Sequence, residues 1–264
     1  MAPISVVIIT HNEAANLGAC LASARRLSSD IVVVDCGSDD GTAALAQVLG
    51  ATVLHLPWRG YGAARNAGAA AAKHHWVLAL DADERLSEEL VAALAALPLH
   101  DPSVAYRFRR RNHFKGRAIR FGTFGFDAVT RLYHRGVVRW NDYPVHELPE
   151  GHTRVQHIAG DLLHYGITDT ALFRRKKDHY ALLCARRYHD AGLPAGPLQL
   201  LAPLFNSVKS YLFLGGFLDG YCGLFLARSI YRYTRLKYRH LARLRRDEAR
   251  SAPQSFPARS GLFS

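Results

Sequence analysis

Asp81 and Asp83 stand one residue apart, with Glu84 directly after them and the apolar run WVLAL directly before. An Asp-x-Asp pair leaving a strand can set both carboxylates on one side of the emerging loop. Paired hard oxygens suit Mg2+ or Mn2+ shared with the phosphates of a bound molecule. The same acids would also make an ordinary solvated turn, so their position must decide. A second group, VDCGSDDGT at 34–42, holds Asp35 and Ser38 around Gly37. Asp35 ends an apolar run and can accept from a base N–H or a ribose hydroxyl, and the helix start behind it can face negative charge. A β–α turn favours Asp and Gly in any case. In GYGAARNAG, 60–68, Arg65 can meet a base or a diphosphate, or hold acidic loops in place.

The surrounding pattern predicts what carries these groups. ISVVIIT (4–10), IVVVD (31–35), TVLHL (52–56) and WVLAL (76–80) read as short buried strands. Between them, 14–27, 42–49 and 60–73 read as helices, and Ser87 can cap a fourth that runs to Leu97. That alternation predicts parallel βαβ units in an α/β fold with a mostly parallel sheet flanked by helices. Such sheets bind ligands beyond the carboxyl ends of their strands, near a switch in strand order. Here those ends are Thr10-His11-Asn12-Glu13, Asp35 to Asp39, and Asp81-Ala82-Asp83-Glu84, and all are polar or acidic. This coincidence moves the acids from solvated turn to binding site. The turn after the first strand is THNEAAN, not GxGxxG, which counts against a dinucleotide-linked oxidoreductase.

Beyond residue 100 the rhythm breaks into shorter runs with aromatics and arginines, which predicts a more antiparallel region. Residues 169–190 read as a helix, Pro194, Gly196 and Pro197 as a break, and 251–264 as a disordered tail. The chain has 264 residues, 49% hydrophobic and 21% charged, with a net charge of +12. The excess is local: residues 107–120 carry seven basic side chains and no acid, and 225–250 carry nine basic against two acidic. An anionic partner is expected, whether nucleic acid, membrane surface or phosphorylated substrate. Cys20, Cys36, Cys184 and Cys222 have no metal-ligand spacing and read as small apolar residues. With no basic run at its start, the chain is expected in the cytosol. Residues 198–227 are apolar but interrupted by Asn206, Lys209 and Asp219, and the basic 228–250 stretch beside them suits an anionic leaflet.

The order VVIITHNEAANLGACLAS, IVVVDCGSDDGT, GYGAARNAG, WVLALDADE resembles the nucleotide-sugar domain of family-two glycosyltransferases with the GT-A (Rossmann-like) fold. YPVHELPEG (143–151), LLHYG (162–166) and GFLDGYCGLFLA (216–227) resemble the subgroup of lipopolysaccharide-core β-glycosyltransferases. Lys73-His74-His75 departs from the family, where Gly and an acid are commoner; a turn changes and the site stays.

The resemblance implies inverting transfer from a nucleoside-diphosphate sugar, UDP-hexose by default. It implies residues 1–100 as the nucleotide-sugar half, 101–190 as the acceptor half of the same domain, and 198–250 as a helical, membrane-associating extension. Thr10, Asn12, Glu13, Asp35, Ser38, Arg65, Asp81 and Ala82 would hold the nucleotide sugar. Asp83, with Asp81 and His164, would hold Mg2+ or Mn2+. Glu147 would be the general base, ahead of Asp142 and Asp127. Tyr143, His146, Arg109 and Arg111 would meet an anionic glycolipid such as lipid A–core. The protein would sit at the cytoplasmic face of the bacterial inner membrane, peripheral or partly embedded, and its C-terminal helices could pair two copies. A basic nucleic-acid-binding protein is the rival reading, without a helix-turn-helix, zinc or RRM pattern to support it. A catalytically inactive sugar-nucleotide scaffold is another.

Overall fold

The structure is a computed structural model that describes residues 3–143, 147–193 and 198–251. Its first half follows the expected rhythm: β1 (Ile4–Thr10), α1 (Ala14–Arg25), β2 (Ile31–Asp35), α2 (Thr42–Val48), β3 (Thr52–His55), α3 (Tyr61–Ala71) and β4 (Trp76–Asp81). Next come β5 (Glu84–Leu86), α4 (Glu88–Ala95), β6 (Val104–Phe114), β7 (Arg117–Ala118), the short α5 (Gly122–Gly125) and β8 (Ala128–His134). They are followed by β9 (Arg139–Trp140), β10 (Pro149–Glu150) and β11 (Arg154–Ile167). The chain ends in α6 (Thr170–Asp190), α7 (Leu198–Val208), a π turn and a 3-10 turn, and α8 (Tyr221–Ser251).

The main sheet runs β3-β2-β1-β4-β8-β6-β11-β5, with β7 paired to β6 at one end. The β1–β2, β1–β4, β2–β3 and β6–β11 pairs are parallel, whereas β4–β8, β6–β8, β11–β5 and β6–β7 are antiparallel. The sheet is therefore mixed rather than mostly parallel. The reason lies beyond residue 100, where β8 and β6 form an antiparallel pair instead of further βαβ crossovers. One sheet still spans both halves of the chain. The strand order reverses between β1 and β4, so their carboxyl ends open the crevice.

Two apolar layers cover the sheet. Leu17, Leu21 and Ala24 of α1 and Leu90 and Leu94 of α4 pack on Ile4, Val6, Ile8 and Leu78. Ala64, Ala69 and Ala72 pack on Val7, Val34 and Val77 from the other side. β1 and β2 are buried throughout, which is why all but Ser5, Thr10 and Asp35 in them are apolar. Ser87 caps α4 by accepting from Leu90 N, as expected, while Asp40 Oδ1 reaches Thr42 N of α2 at 3.0 Å from outside the Gly41 cap. Asp169 caps α6 by accepting from Ala171 N and Leu172 N. A third apolar cluster, with Phe114, Phe173 and Phe225, fixes α6 and α8 to the end of β6. Arg232 of α8 grips Asp178 of α6 at 2.8 and 2.7 Å. Three of the four cysteines are buried and all are free. Among the described residues no helix is long and apolar enough to cross a membrane.

The alanines and glycines of α3 let it lie close to the sheet. A Cβ on Gly68 would fall 2.3 Å from Val7 Cγ1 and 2.8 Å from Val34 Cγ2, whereas one on Gly18 of α1 would meet nothing within 4 Å. In a helix, Gly→Ala gains about 1 kcal/mol where space allows. Overpacking costs about 1–3 kcal/mol. Gly18→Ala should raise the melting temperature and Gly68→Ala should lower it, as thermal unfolding of the two variants would show.

Candidate active site

Three loops meet at the carboxyl ends of β1, β2 and β4. Thr10 lies opposite Asp35, and Ile9 opposite Asp81. Asn12 adopts the left-handed conformation, φ 55°, which Asn tolerates better than most residues. Its backbone N donates to Ser38 Oγ at 2.9 Å, and its Oδ1 accepts from Asp39 N at 2.9 Å. Glu13 N donates to Thr42 Oγ1 at 3.0 Å. The first two loops are thereby one unit. Asp35 is 2% exposed and accepts from the backbone N of Ser38 at 3.2 Å and from its hydroxyl. The Thr10 hydroxyl is buried with no hydrogen-bond partner among the described residues. Ala82, also buried, donates its N to Ile9 O at 3.2 Å and pins the third loop to β1. Burial pushes the Glu13 carboxyl up, and Asn16 Nδ2 holds it at 2.7 Å.

Behind these loops lies a buried network of acids and arginines. Asp81 Oδ1 accepts from Arg65 Nη2 at 2.8 Å, and Oδ2 from Arg131 Nη2 at 2.7 Å. The same Arg65 nitrogen reaches Glu147 Oε1 at 3.1 Å. Arg131 also reaches Glu84 Oε1 at 3.0 Å, and Glu84 Oε2 accepts from Asp81 N at 2.9 Å. Arg110 joins Glu84 at 3.4 Å to Asp127 at 2.8 Å. Trp140 backs the arginines, with the Arg65 guanidinium carbon 4.7 Å from its ring centroid. Burial alone would raise the Asp81 pKa, but Arg131, Arg65 and Arg110 outweigh it and hold the carboxyl far below its usual range.

Asp83 turns to a different partner. Its Oδ2 lies 3.3 Å from His164 Nε2. His164 Nδ1 meets Asn112 Oδ1 at 2.6 Å, while the Asn112 amide donates to Phe124 O at 2.8 Å and Asp127 Oδ2 at 3.0 Å. With its NH2 so committed, Asn112 accepts from His164 Nδ1–H, which leaves Nε2 on the Asp83 side. Burial opposes both charged forms, yet the pair lowers the Asp83 pKa and raises that of His164. Gly166 keeps the space beside them open, since a Cβ there would fall 2.7 Å from His164 Nε2 and 3.1 Å from Asp83 Oδ2. One carboxylate oxygen and one imidazole nitrogen with its far side fixed fit a divalent cation of the Mg2+ or Mn2+ class. No group of three or more His, Cys, Asp or Glu suited to a metal occurs among the described residues.

A family model described as glycosyl transferase family 2 matches residues 5–180. The chain belongs to that family. It is 31% identical over 260 residues to the lipopolysaccharide core biosynthesis glycosyltransferase LpsC of Rhizobium meliloti strain 1021, covering 90% of this chain and 95% of LpsC. It is 35% identical to an uncharacterized glycosyltransferase of Rickettsia felis over 51% of this chain, and so spans about half (49%) of that relative. Mannosyl-3-phosphoglycerate synthase of Rubrobacter xylanophilus gives a TM-score of 0.46 at 18% identity, covering 74% of this chain and 76% of that one. Glucosyl-3-phosphoglycerate synthase of Mycobacterium tuberculosis, solved with Mn2+, UDP and glucosyl-3-phosphoglycerate, gives 0.34 at 25% identity, covering 42% of this chain and 44% of that one. This protein is a family-two glycosyltransferase with a mixed α/β fold.

Several of the expected site residues converge in this glycosyltransferase and others do not. Thr10, Asn12, Glu13, Asp35, Ser38, Asp81, Ala82, Asp83, Glu147 and His164 gather at the crevice. Arg65, 1% exposed, lies beneath it and holds Asp81 and Glu147 together, the second of the two roles its position allowed. Asp81 has both oxygens in ion pairs, with Arg65 and Arg131. Asp127 is bound by Arg110 and Asn112. Arg109 and Arg111 pair with Asp161, on the sheet face opposite Arg110. Tyr143 is exposed beneath the Arg187 guanidinium, 3.7 Å from ring centroid to carbon. His146, Pro144, the break at 194–197 and the tail from 252 lie outside the described residues. The sequence pattern left Arg131 and Asn112 unremarked and grouped Arg110 with the basic patch of 107–120. A charge inside the otherwise apolar strand AVTRLYH marked Arg131, and the alternation of RFRRRN set Arg110 and Asn112 apart from their neighbours.

Removing one member of a buried ion pair costs about 3–5 kcal/mol, because the other charge stays buried. Arg131→Met should destabilise the protein by that order in urea unfolding at neutral pH. The depressed Asp81 pKa stabilises the fold fully above the ordinary carboxyl value of 3.8, and this contribution is lost as pH falls below it toward the folded value. Stability measured down through that range should therefore fall less steeply in Arg131→Met than in the wild type.

Proposed function

We propose that this glycosyltransferase carries out metal-dependent, inverting transfer of a hexose from UDP-hexose to a lipopolysaccharide-core or other lipid-linked saccharide. The transfer would take place at the cytoplasmic face of the bacterial inner membrane. The observation that carries the reading is the pairing of Asp83 with His164 beside a carboxylate, Glu147, that shares Arg65 with Asp81. A cation ligand set and a proton acceptor thereby flank one crevice. The likeness to LpsC over nearly its whole length supports the glycolipid acceptor.

The joined loops of Asn12, Ser38 and Asp35 would offer the nucleoside fixed acceptors, with the buried Thr10 hydroxyl, unpartnered among the described residues, behind them. Asp83 and His164 would hold Mg2+ or Mn2+. Bound there, the ion supplies Lewis-acid neutralisation of the diphosphate. Glu147 Oε1 is held by Arg65, which leaves Oε2 to take the acceptor hydroxyl proton. The acceptor oxygen forms its bond to the anomeric carbon as the bond to the diphosphate oxygen breaks on the opposite face. The proton ends on Glu147 and the electron pair on the diphosphate.

Asp83→Ala should abolish the Mn2+-linked rise in melting temperature on adding UDP, in a protein that still folds with an apo melting temperature lowered by the loss of the His164 pairing. A Mn2+-linked rise that persists in this variant sinks the metal assignment. Glu147→Gln should lower turnover about 100-fold or more with UDP binding retained; unchanged turnover moves the base elsewhere.

A further inference from the structure

α7 carries its polarity the wrong way round for a helix that faces water. The side against α8 holds Pro203, which is buried, and Ser207, whose Oγ donates to Ala227 O at 2.9 Å. Ser210 of the π turn is buried as well. The outward side holds Leu200, Leu201, Leu204 and Phe205, exposed by 59% to 84%. Phe213 and Leu218 continue the apolar surface into the following turns, 78% and 59% exposed. No charged residue interrupts Leu198–Val208. Single exposed leucines are ordinary, but an apolar face of this extent marks a surface that another body covers.

The border of the patch is cationic. Lys209 stands next to α7, and exposed Arg117 and Arg120 share a shallow recess with Phe121 and Leu218. Asp219, the acid in that recess, is already engaged: its Oδ2 accepts from Arg120 N at 3.1 Å and Phe121 N at 2.9 Å. Those two bonds also fix the basic β6–β7 hairpin beside the apolar turn, so charge and grease share one rim.

We propose that this face seats in the headgroup region of an anionic membrane leaflet, with α7 in the membrane plane and Arg117 and Arg120 on lipid phosphates. The proposal rests on the membrane-surface part of the function above and names the surface that would serve it. At 1.5 Å per residue, α7 is roughly 16 Å long, too short for a hydrocarbon core of about 30 Å and suited to lying at its boundary. A second copy is the weaker occupant. Two-fold pairing of the same face would bring its arginine rim toward an identical rim, whereas anionic lipid neutralises it.

The test is flotation of the full chain with vesicles of phosphatidylethanolamine and phosphatidylglycerol, against vesicles of phosphatidylcholine. Wild type should float with the anionic vesicles, and high salt should weaken binding. Leu204→Glu with Phe205→Glu should lower the partition at least about tenfold with an unchanged melting temperature, because both side chains are exposed. Arg117→Gln with Arg120→Gln should lower it and flatten its salt dependence. The proposal is overturned if wild type ignores anionic vesicles or if the Glu variant floats as well as wild type. It is equally overturned if the Glu variant merely turns a dimer into a monomer in sedimentation. UDP binding with Mn2+, measured on the same samples, separates the two readings. Flotation without nucleotide binding supports this face and counts against the catalytic assignment alone.

Discussion

A carboxylate at the end of a buried parallel strand must find its countercharge within hydrogen-bonding distance, and the rest of this site is arranged around how Asp81 does so. Leaving one ion unpaired in such a place costs several kcal/mol. Arg65 from α3 takes one oxygen and Arg131 from β8 the other. The two halves of the chain are thus joined by a charge requirement as well as by sheet pairing. Arg65 has a second acid within reach, Glu147, and so the loop from the acceptor half is drawn to the same spot. Trp140 covers both guanidiniums with its ring, a contact that a lysine ammonium would not reproduce in the same planar form.

Glu84 shows how an acid in a metal-like motif can have a wholly internal duty. It is fully buried, accepts from Asp81 N, and bridges Arg131 to Arg110. Arg110 passes the connection to Asp127, Asp127 to Asn112, and Asn112 to His164. The imidazole facing Asp83 is therefore oriented by a chain of hydrogen bonds that begins at the acid next to Asp83 in sequence. Networks of this kind hold a geometry firmly because every member has few other partners.

The first ninety residues were legible because their information is local. Strand and helix periods, caps and turn glycines are all written within a dozen residues, and the carboxyl ends of β1, β2 and β4 follow from topology. The parallel pairing of β6 with β11 was not legible, since those strands are separated by β8, which runs in the opposite sense, and by four short elements. The roles of Arg65, Arg131 and Arg110 were hidden for the same reason: each partner lies at least sixteen positions away. The run RFRRRN read as one basic patch, but the pleat sends Arg109 and Arg111 to Asp161 and Arg110 to the interior. The apolar character of 198–218 was visible, while the inverted polarity of α7 required knowing which side α8 occupies.

Asp81 and Asp83 hold different partners for a specific reason. Alternation by two places residues on one side only while the strand continues, and here β4 ends at Asp81 and β5 begins at Glu84. The two residues between them form a turn, which resets the direction of the second carboxylate. That reset divides the labour. Asp81, inside the strand, is fully neutralised by two arginines and becomes a structural anchor. Asp83, in the turn, has a single titratable hydrogen-bond partner in His164. Around the crevice Asp81, Asp83, Glu84, Asp127 and Glu147 face Arg65, Arg110 and Arg131, so carboxylates outnumber guanidiniums. Asp81, Glu84, Asp127 and Glu147 each hold an arginine, whereas Asp83 is set against the His164 imidazole, with the Lys176 ammonium as a further countercharge.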